Sequence, residues 1–146
     1  MPNIFADTSA LVGLLSPGDA FFAPVNDRVS DSGLAFFYPP MIRFELRHNL
    51  QRVKVDSNGE AAWRALRASE KGGLLRGVSV DLLATLRAGE QLSEQHPEAR
   101  AVGSADVLHV ATARELGAAE FWTCDEAQAA LARAAGLVAV LFTPAS

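Results

Sequence analysis

Near the N-terminus a short apolar run, Asn3 to Ala6, ends on an acid, and Thr8-Ser9-Ala10-Leu11-Val12 then opens a helical pattern. A strand that hands a carboxylate to a following helix belongs to an alternating α/β architecture. In such sheets ligands collect at the carboxyl ends of parallel strands. Asp7 is expected at one of those ends, and Asp7 or Thr8 is the expected N-cap of a short helix running to Leu15.

The rest of the chain repeats the alternation. Ser16-Pro17-Gly18-Asp19 reads as a turn and Ala20 to Val29 as a second helix, broken by Asp31-Ser32-Gly33. Leu34 to Tyr38 is a compact apolar strand, stopped by Pro39-Pro40. A helix from about Met41 to Val53 follows, with Met41, Ile42, Phe44, Leu46, Leu50 and Val53 as a broad apolar face. After an Asp56-Ser57-Asn58-Gly59 loop, Glu60 to Lys71 is helical and Gly72-Gly73 ends it. Leu74 to Val80 contains a strand, with Val78 and Val80 as alternating apolar positions. A long helix from Asp81 stops near Gln95, ahead of His96-Pro97. Ser104 is the expected N-cap of a strongly apolar helix that Gly117 closes. Glu120 to Thr123 is a strand, Asp125 starts an alanine-rich helix that ends at Gly136, and Leu137 to Leu141 is the last strand. This order predicts a mostly parallel five-stranded sheet covered by helices on both faces, in one domain spanning 1–146.

Composition sets limits on class. Hydrophobic residues at 49% and charged residues at 21% are ordinary for a globular domain. No apolar run approaches the roughly 20 residues that span a bilayer, so no membrane partner is expected. Met1-Pro2-Asn3-Ile4-Phe5 shows no basic export signal, and the single cysteine, Cys124, fits a reducing compartment; the expected localisation is cytoplasmic. The net charge of −4 is unevenly spread. From Arg43 to Arg76 there are eight basic residues and four acids, so this segment is +4 and the remainder −8. A segment of that kind can present a local anion-facing surface, or simply two solvated amphipathic helices.

Four acids occupy positions that converge. Asp7 ends the first strand, Glu45 lies early in the helix after the second, Asp106 is in the first turn of the apolar helix, and Asp125 follows the Phe121-Trp122-Thr123 strand. Carboxylates gathered at one rim repel each other unless a cation neutralises them. Oxygen donors favour hard cations, meaning Mg²⁺ or Mn²⁺, which activate water against phosphate esters. Taken singly, each acid can equally be a helix cap, a dipole partner or a surface charge.

The blocks Asp7-Thr8-Ser9-Ala10-Leu11, Ile42-Arg43-Phe44-Glu45-Leu46, Asp106-Val107-Leu108-His109-Val110-Ala111-Thr112-Ala113 and Thr123-Cys124-Asp125 resemble the four signature blocks of PIN-domain ribonucleases. The likeness is nearest to the VapC-type toxins of bacterial toxin–antitoxin pairs and covers essentially the whole chain. It implies a three-layer α/β/α fold with strand order 3-2-1-4-5 and a divalent-metal site of Asp7, Glu45, Asp106 and Asp125. The implied activity is hydrolysis of RNA phosphodiesters by a metal-activated water, leaving 5′-phosphate and 3′-hydroxyl ends. It also implies a homodimer and a cognate antitoxin. One departure is that Glu126, Ala127 and Gln128 follow Asp125, where the family often has a basic or aromatic residue; Asp125 can therefore act one shell out.

Around these acids, Thr8, Ser9 and Thr123 can orient carboxylates or waters, or only cap helices. Asn49, one turn after Glu45, can reach a carboxylate or a phosphate. Arg43 and Arg47 can grip RNA, pair with an acidic antitoxin segment, or stay solvated. His109 reads as a hydrogen-bonded core histidine, Cys124 as a small buried residue, and Trp63 and Trp122 as core or dimer contacts. A phosphorelay receiver needs an acidic pair at Asp7 and a lysine after the last strand, and neither is present. A haloacid-dehalogenase-like phosphatase needs a second Asp where Ser9 stands. Nucleotide-binding glycine loops and a serine-hydrolase elbow are absent. The remaining alternatives are a PIN nuclease of RNA processing and a non-catalytic PIN-like binding module.

Overall fold

The computed structural model describes residues 3–30, 34–52 and 58–145. Ile4, Phe5 and Ala6 of β1 (Asn3–Ala6) are all buried, as a central parallel strand requires. Its neighbours are β2 (Ala35–Tyr38) on one side and β4 (Glu120–Thr123) on the other. The edges are β3 (Leu75–Gly77) and β5 (Ala139–Leu141), giving the order β3-β2-β1-β4-β5 with every pairing parallel. The chain runs outward from β1 to β3, then restarts at β4, so the topological switch lies between β1 and β4.

Helices α1 (Thr8–Leu15), α2 (Phe22–Ser30), α3 (Pro40–Arg52) and α4 (Asn58–Lys71) pack together as one layer. The other layer is α5 (Leu82–Gln95), α6 (Ser104–Glu115) and α7 (Glu126–Ala134), with a short 3-10 helix at Pro97–Ala101. Aromatic rings fill the centre of the sheet. Phe5 stacks on Phe121 at 5.5 Å between centroids, and Phe36 meets Trp122 edge-on at 4.9 Å. Gly117 and Gly136 stop α6 and α7 in the left-handed region, at φ +68° and +92°, where a side chain is disfavoured.

Several expectations shift. The second helix begins at Phe22 rather than Ala20, because the Asp19 carboxylate accepts from the Phe21 N–H and prolongs the turn. The third strand is Leu75–Gly77, so Val78 and Val80 lie beyond it; Leu75 carries its buried position. The last strand starts at Ala139 rather than Leu137. Gly103, not Ser104, has the extended backbone of the cap before α6, and Ser104 is already helical. The apolar face of α3 is narrower than its composition suggests. Ile42, Leu46 and Leu50 are buried at four-residue spacing, whereas Met41 and Phe44 are exposed. The breaks expected at Asp31-Ser32-Gly33 and Asp56-Ser57, and the Val53 end of α3, lie outside the described residues.

Candidate active site

Asp7 leaves the end of β1 and caps α1. Its backbone N–H donates to the Trp122 carbonyl at 3.0 Å, which ties it to the end of β4. Its side chain is almost fully enclosed, and both oxygens are engaged. Oδ1 accepts from Ser9 Oγ at 2.6 Å and from the Ala10 N–H at 2.9 Å; Oδ2 accepts from Thr123 Oγ1 at 2.5 Å. Burial pushes the Asp7 carboxyl up from its ordinary value. The bonds from Ser9, Thr123 and Ala10, and the nearby His109, pull it only part of the way back.

Asp106 sits in the first turn of α6, half-buried, where the helix N-terminus favours a negative charge. Its carboxyl is also raised, first by burial. His109 and the Gly103 backbone lower it, while the charges of Asp125 and Glu45 raise it. Glu45 reaches this place from the other helical layer. Its Oε1 is in close contact with His109 Nε2, one turn after Asp106 on α6. Asp125 caps α7, with Oδ1 accepting the Gln128 N–H at 3.0 Å. Asp106 therefore lies within electrostatic reach of Asp125, Glu45 and His109, and the buried Asp7 within reach of His109.

The hydroxyl neighbours divide. Ser9 and Thr123 form a relay. Ser9 Oγ accepts the Cys124 N–H at 3.0 Å while donating to Asp7, and Thr123 Oγ1 accepts the Asp125 N–H at 3.0 Å while donating to Asp7. Thr8 is different: its hydroxyl is buried with no hydrogen-bond partner among the described residues. Asn49 is exposed and bonds no carboxylate among the described residues; it lines a cavity of about 440 Å³ with Ser9, Phe21 and Cys124. Cys124 is partly buried, packed against the core at the edge of that cavity. Burial and the Asp7 charge push its thiol up to about 12. Arg43 and Arg47 point away from the acids and lie over the Trp63 ring at 4.7 and 4.8 Å.

Two residues gain roles that the sequence pattern does not give them. His109 is a core residue, as its apolar helix suggests, but its partner is Glu45. Gln128 is buried behind the rim. Its Nε2 donates to the Asp106 carbonyl at 3.4 Å and its Oε1 faces Thr123 Oγ1 at 3.4 Å, so it ties α7 to the first turn of α6 and to the end of β4. The one signal in the chain is a lone amide within an alanine-rich helix.

Among the described residues, no three His, Cys, Asp or Glu side chains stand close enough to enclose an ion unaided. The donor chemistry nevertheless suits a hard cation. The acids supply only oxygen, and Asp106 is burdened by two neighbouring negative charges. Mg²⁺ characteristically keeps several waters, so a few carboxylates around a wider opening can hold it.

A family model for the PIN domain matches residues 4–134. No curated protein matches the chain. Among solved structures, the chain is similar to VapC20 of Mycobacterium tuberculosis, described as a Sarcin-Ricin loop cleaving toxin. The TM-score is 0.69 at 24% identity, covering 92% of this chain and 96% of that one. VapBC2 of Rickettsia felis, solved with a DNA fragment from its promoter, gives 0.67 at 13% identity over 97% and 99%. FitAcB of Neisseria gonorrhoeae gives 0.56 at 15% identity over 93% and 95%. At these identities the structural likeness speaks for the shared fold, and with a family model spanning nearly the whole sequence, the chain belongs to the PIN domain family.

Proposed function

We propose that this PIN domain is a metal-dependent endoribonuclease and the toxin of a toxin–antitoxin pair. The observation that carries the reading is Asp106, whose carboxyl feels the charges of both Asp125 and Glu45, with Asp7 joined to the same neighbourhood through His109. Asp7 and Asp106 would hold Mg²⁺ or Mn²⁺, with Glu45 and Asp125 assisting. When bound, such an ion lowers the pKa of a water and offsets charge on the phosphoryl oxygens.

The chain's own residues prepare that chemistry. Ser9 and Thr123 fix the Asp7 carboxylate from two sides. His109 holds Glu45 against α6, and Gln128 braces the start of α7 against the Asp106 turn. No protein nucleophile is required. The Cys124 thiol, pushed up to about 12, stays protonated at neutral pH and is not the attacking group. Cleavage leaves 5′-phosphate and 3′-hydroxyl ends.

The partner assignments follow from the same reading. The neighbours include VapBC2, solved on DNA from its promoter, which supports an antitoxin as partner. A second copy of the chain is the partner for the exposed apolar side chains Met41, Leu82 and Leu86 of α3 and α5. The cytoplasm is the proposed location. No described helix is long and apolar enough to cross a membrane.

The test is cleavage of total RNA by purified, partner-free protein with Mg²⁺, with Mn²⁺ and with EDTA, beside Asp7→Asn and Asp106→Asn. Discrete, metal-dependent fragments that vanish in both variants are the expected result. Equal cleavage by the variants, or none by folded wild type with metal, overturns it.

A further inference from the structure

On the far side of α3 from the acids, a cleft of about 540 Å³ opens between α3 and α4. It is lined by Arg43, Arg64, Arg67, Ala68, Glu70 and Lys71. We infer that this cleft binds the phosphate backbone of the RNA substrate, as an anchoring site separate from the carboxylates. The inference rests on the endoribonuclease reading and adds where the strand is held.

Four cations line the cleft and one acid offsets them, on a chain whose net charge is −4. Arg64, Arg67 and Lys71 recur at three- and four-residue spacing, so they share one face of α4. All three are exposed and have no ion pair among the described residues. Arg43 is more constrained. It lies over Trp63 at 4.7 Å and reaches Glu70 at 3.4 Å, so its guanidinium is set in place before any ligand arrives. Arg47 also lies over Trp63 and pairs with Glu60 at 3.2 Å, which braces the two helices at this edge.

The placement suits a strand that also reaches the acids. Arg43 and Glu45 are two residues apart on α3, hence about 200° apart around its axis. One faces α4 and the other faces His109 on α6. The cleft and the carboxylates are thus on opposite sides of a single helix, whose diameter is about 10–12 Å. A few nucleotides of single strand laid across α3 cover that distance.

The chemistry favours RNA over an acidic protein segment. Ala68 is the only apolar residue in the lining, so a protein partner finds no pocket for the buried anchor that dominates protein interfaces. Arginine forks match phosphate oxygens in pairs. The cations on α4 rise by about 4.5 and 6 Å in succession, a spacing that repeating phosphates can meet. Contacts of this kind hold a strand in register without reading its bases, leaving sequence choice to the neighbourhood of the acids.

The experiment compares wild type with the triple variant Arg64→Ala, Arg67→Ala, Lys71→Ala. The three side chains are exposed, and circular dichroism checks the fold. Binding of a fluorescent single-stranded RNA is followed by anisotropy in EDTA, which prevents cleavage, across a range of salt. A poly-glutamate peptide is titrated in parallel. Each cation withdrawn from a phosphate takes about 0.7 off the log–log salt slope on single-stranded nucleic acid, so the variant's slope is expected to fall by about 2. Affinity drops at least about tenfold at low salt. With metal restored, the effect falls on KM rather than kcat. Unchanged RNA affinity and slope overturn the proposal. So does abolished peptide binding with RNA binding intact, which assigns the cleft to an acidic protein. Failure of the nuclease reading is seen separately, as cleavage that survives Asp7→Asn.

Discussion

Thr123 at the end of β4 donates its hydroxyl to Asp7 at the end of β1, across 2.5 Å and in full burial. The two residues come from neighbouring strands on either side of the topological switch. This short bond fixes one side of the Asp7 carboxylate, and the Ser9 hydroxyl and Ala10 N–H fix the other. Thr123→Val keeps the shape and removes the bond. A ligand carboxylate that loses its supporting hydrogen bond typically costs about 10–100-fold in metal affinity. Mn²⁺ titration of the valine variant is expected to show a loss in that range, with Thr123→Ser close to wild type. Wild-type affinity in the valine variant removes Thr123 from the site.

Asp7 also makes a prediction about stability. Its folded carboxyl is raised above the ordinary value even after its hydrogen bonds are counted. The folded state then holds the proton more tightly than the unfolded state. The stabilising contribution is present below the unfolded pKa and is lost as pH rises through the folded one. At neutral pH, without metal, the buried charge works against the fold. Asp7→Asn is therefore expected to melt at or above the wild-type temperature at pH 7 in EDTA. The difference closes as pH falls toward the ordinary carboxylate range. A clear fall in the melting temperature at pH 7 contradicts the sign.

Much of this arrangement is legible along the chain, because each acid follows directly from a local signal. Asp7 and Asp125 come just after apolar strands, and Asp106 opens an apolar helix, so their elements bring them to one end of a parallel sheet. What a linear pattern does not carry is which helical face meets which partner. Glu45 and His109 belong to different helical layers, and only the meeting of α3 and α6 at the rim joins them. The same gap explains Met41 and Phe44, which fit an apolar stripe by spacing yet are exposed. It also explains Gln128, whose amide looks like an ordinary surface group until α7 folds over the Asp106 turn. Val78 and Val80 mislead for another reason. They are good strand formers, but the edge strand pairs through Leu75, Arg76 and Gly77.

The exposed apolar side chains of α3 and α5 give the dimer a concrete test. Met41, Leu82 and Leu86 are 40, 59 and 46% exposed, and they border two adjoining cavities along α5. Each leucine withdrawn from water contributes about 1.5–3 kcal/mol. Replacing both, as Leu82→Glu with Leu86→Glu, is expected to weaken dimerisation at least about a hundredfold. Light scattering during gel filtration reads this directly, as a dimer for wild type and a monomer for the variant. A monomeric wild type, or a variant that stays dimeric, places the partner elsewhere.

Gly59 opens α4 where that helix passes the end of α3, and it is buried there. A Cβ added at Gly59 would sit far inside contact distance of the Leu50 carbonyl oxygen, a backbone atom that cannot rotate away. The substitution Gly59→Ala therefore has to separate the two helices, although alanine is the better helix former. Overpacking of this kind costs about 1–3 kcal/mol, which for a domain of this size is several degrees in melting temperature. The effect should not stop at stability. Leu50 is on the same helix as Glu45, and α3 held away from α4 also shifts Arg43 and Arg47 from Trp63. Thermal unfolding and Trp63 fluorescence should change together in Gly59→Ala. A variant as stable as wild type, with unchanged tryptophan emission, would show that α3 and α4 do not approach as closely as this geometry requires.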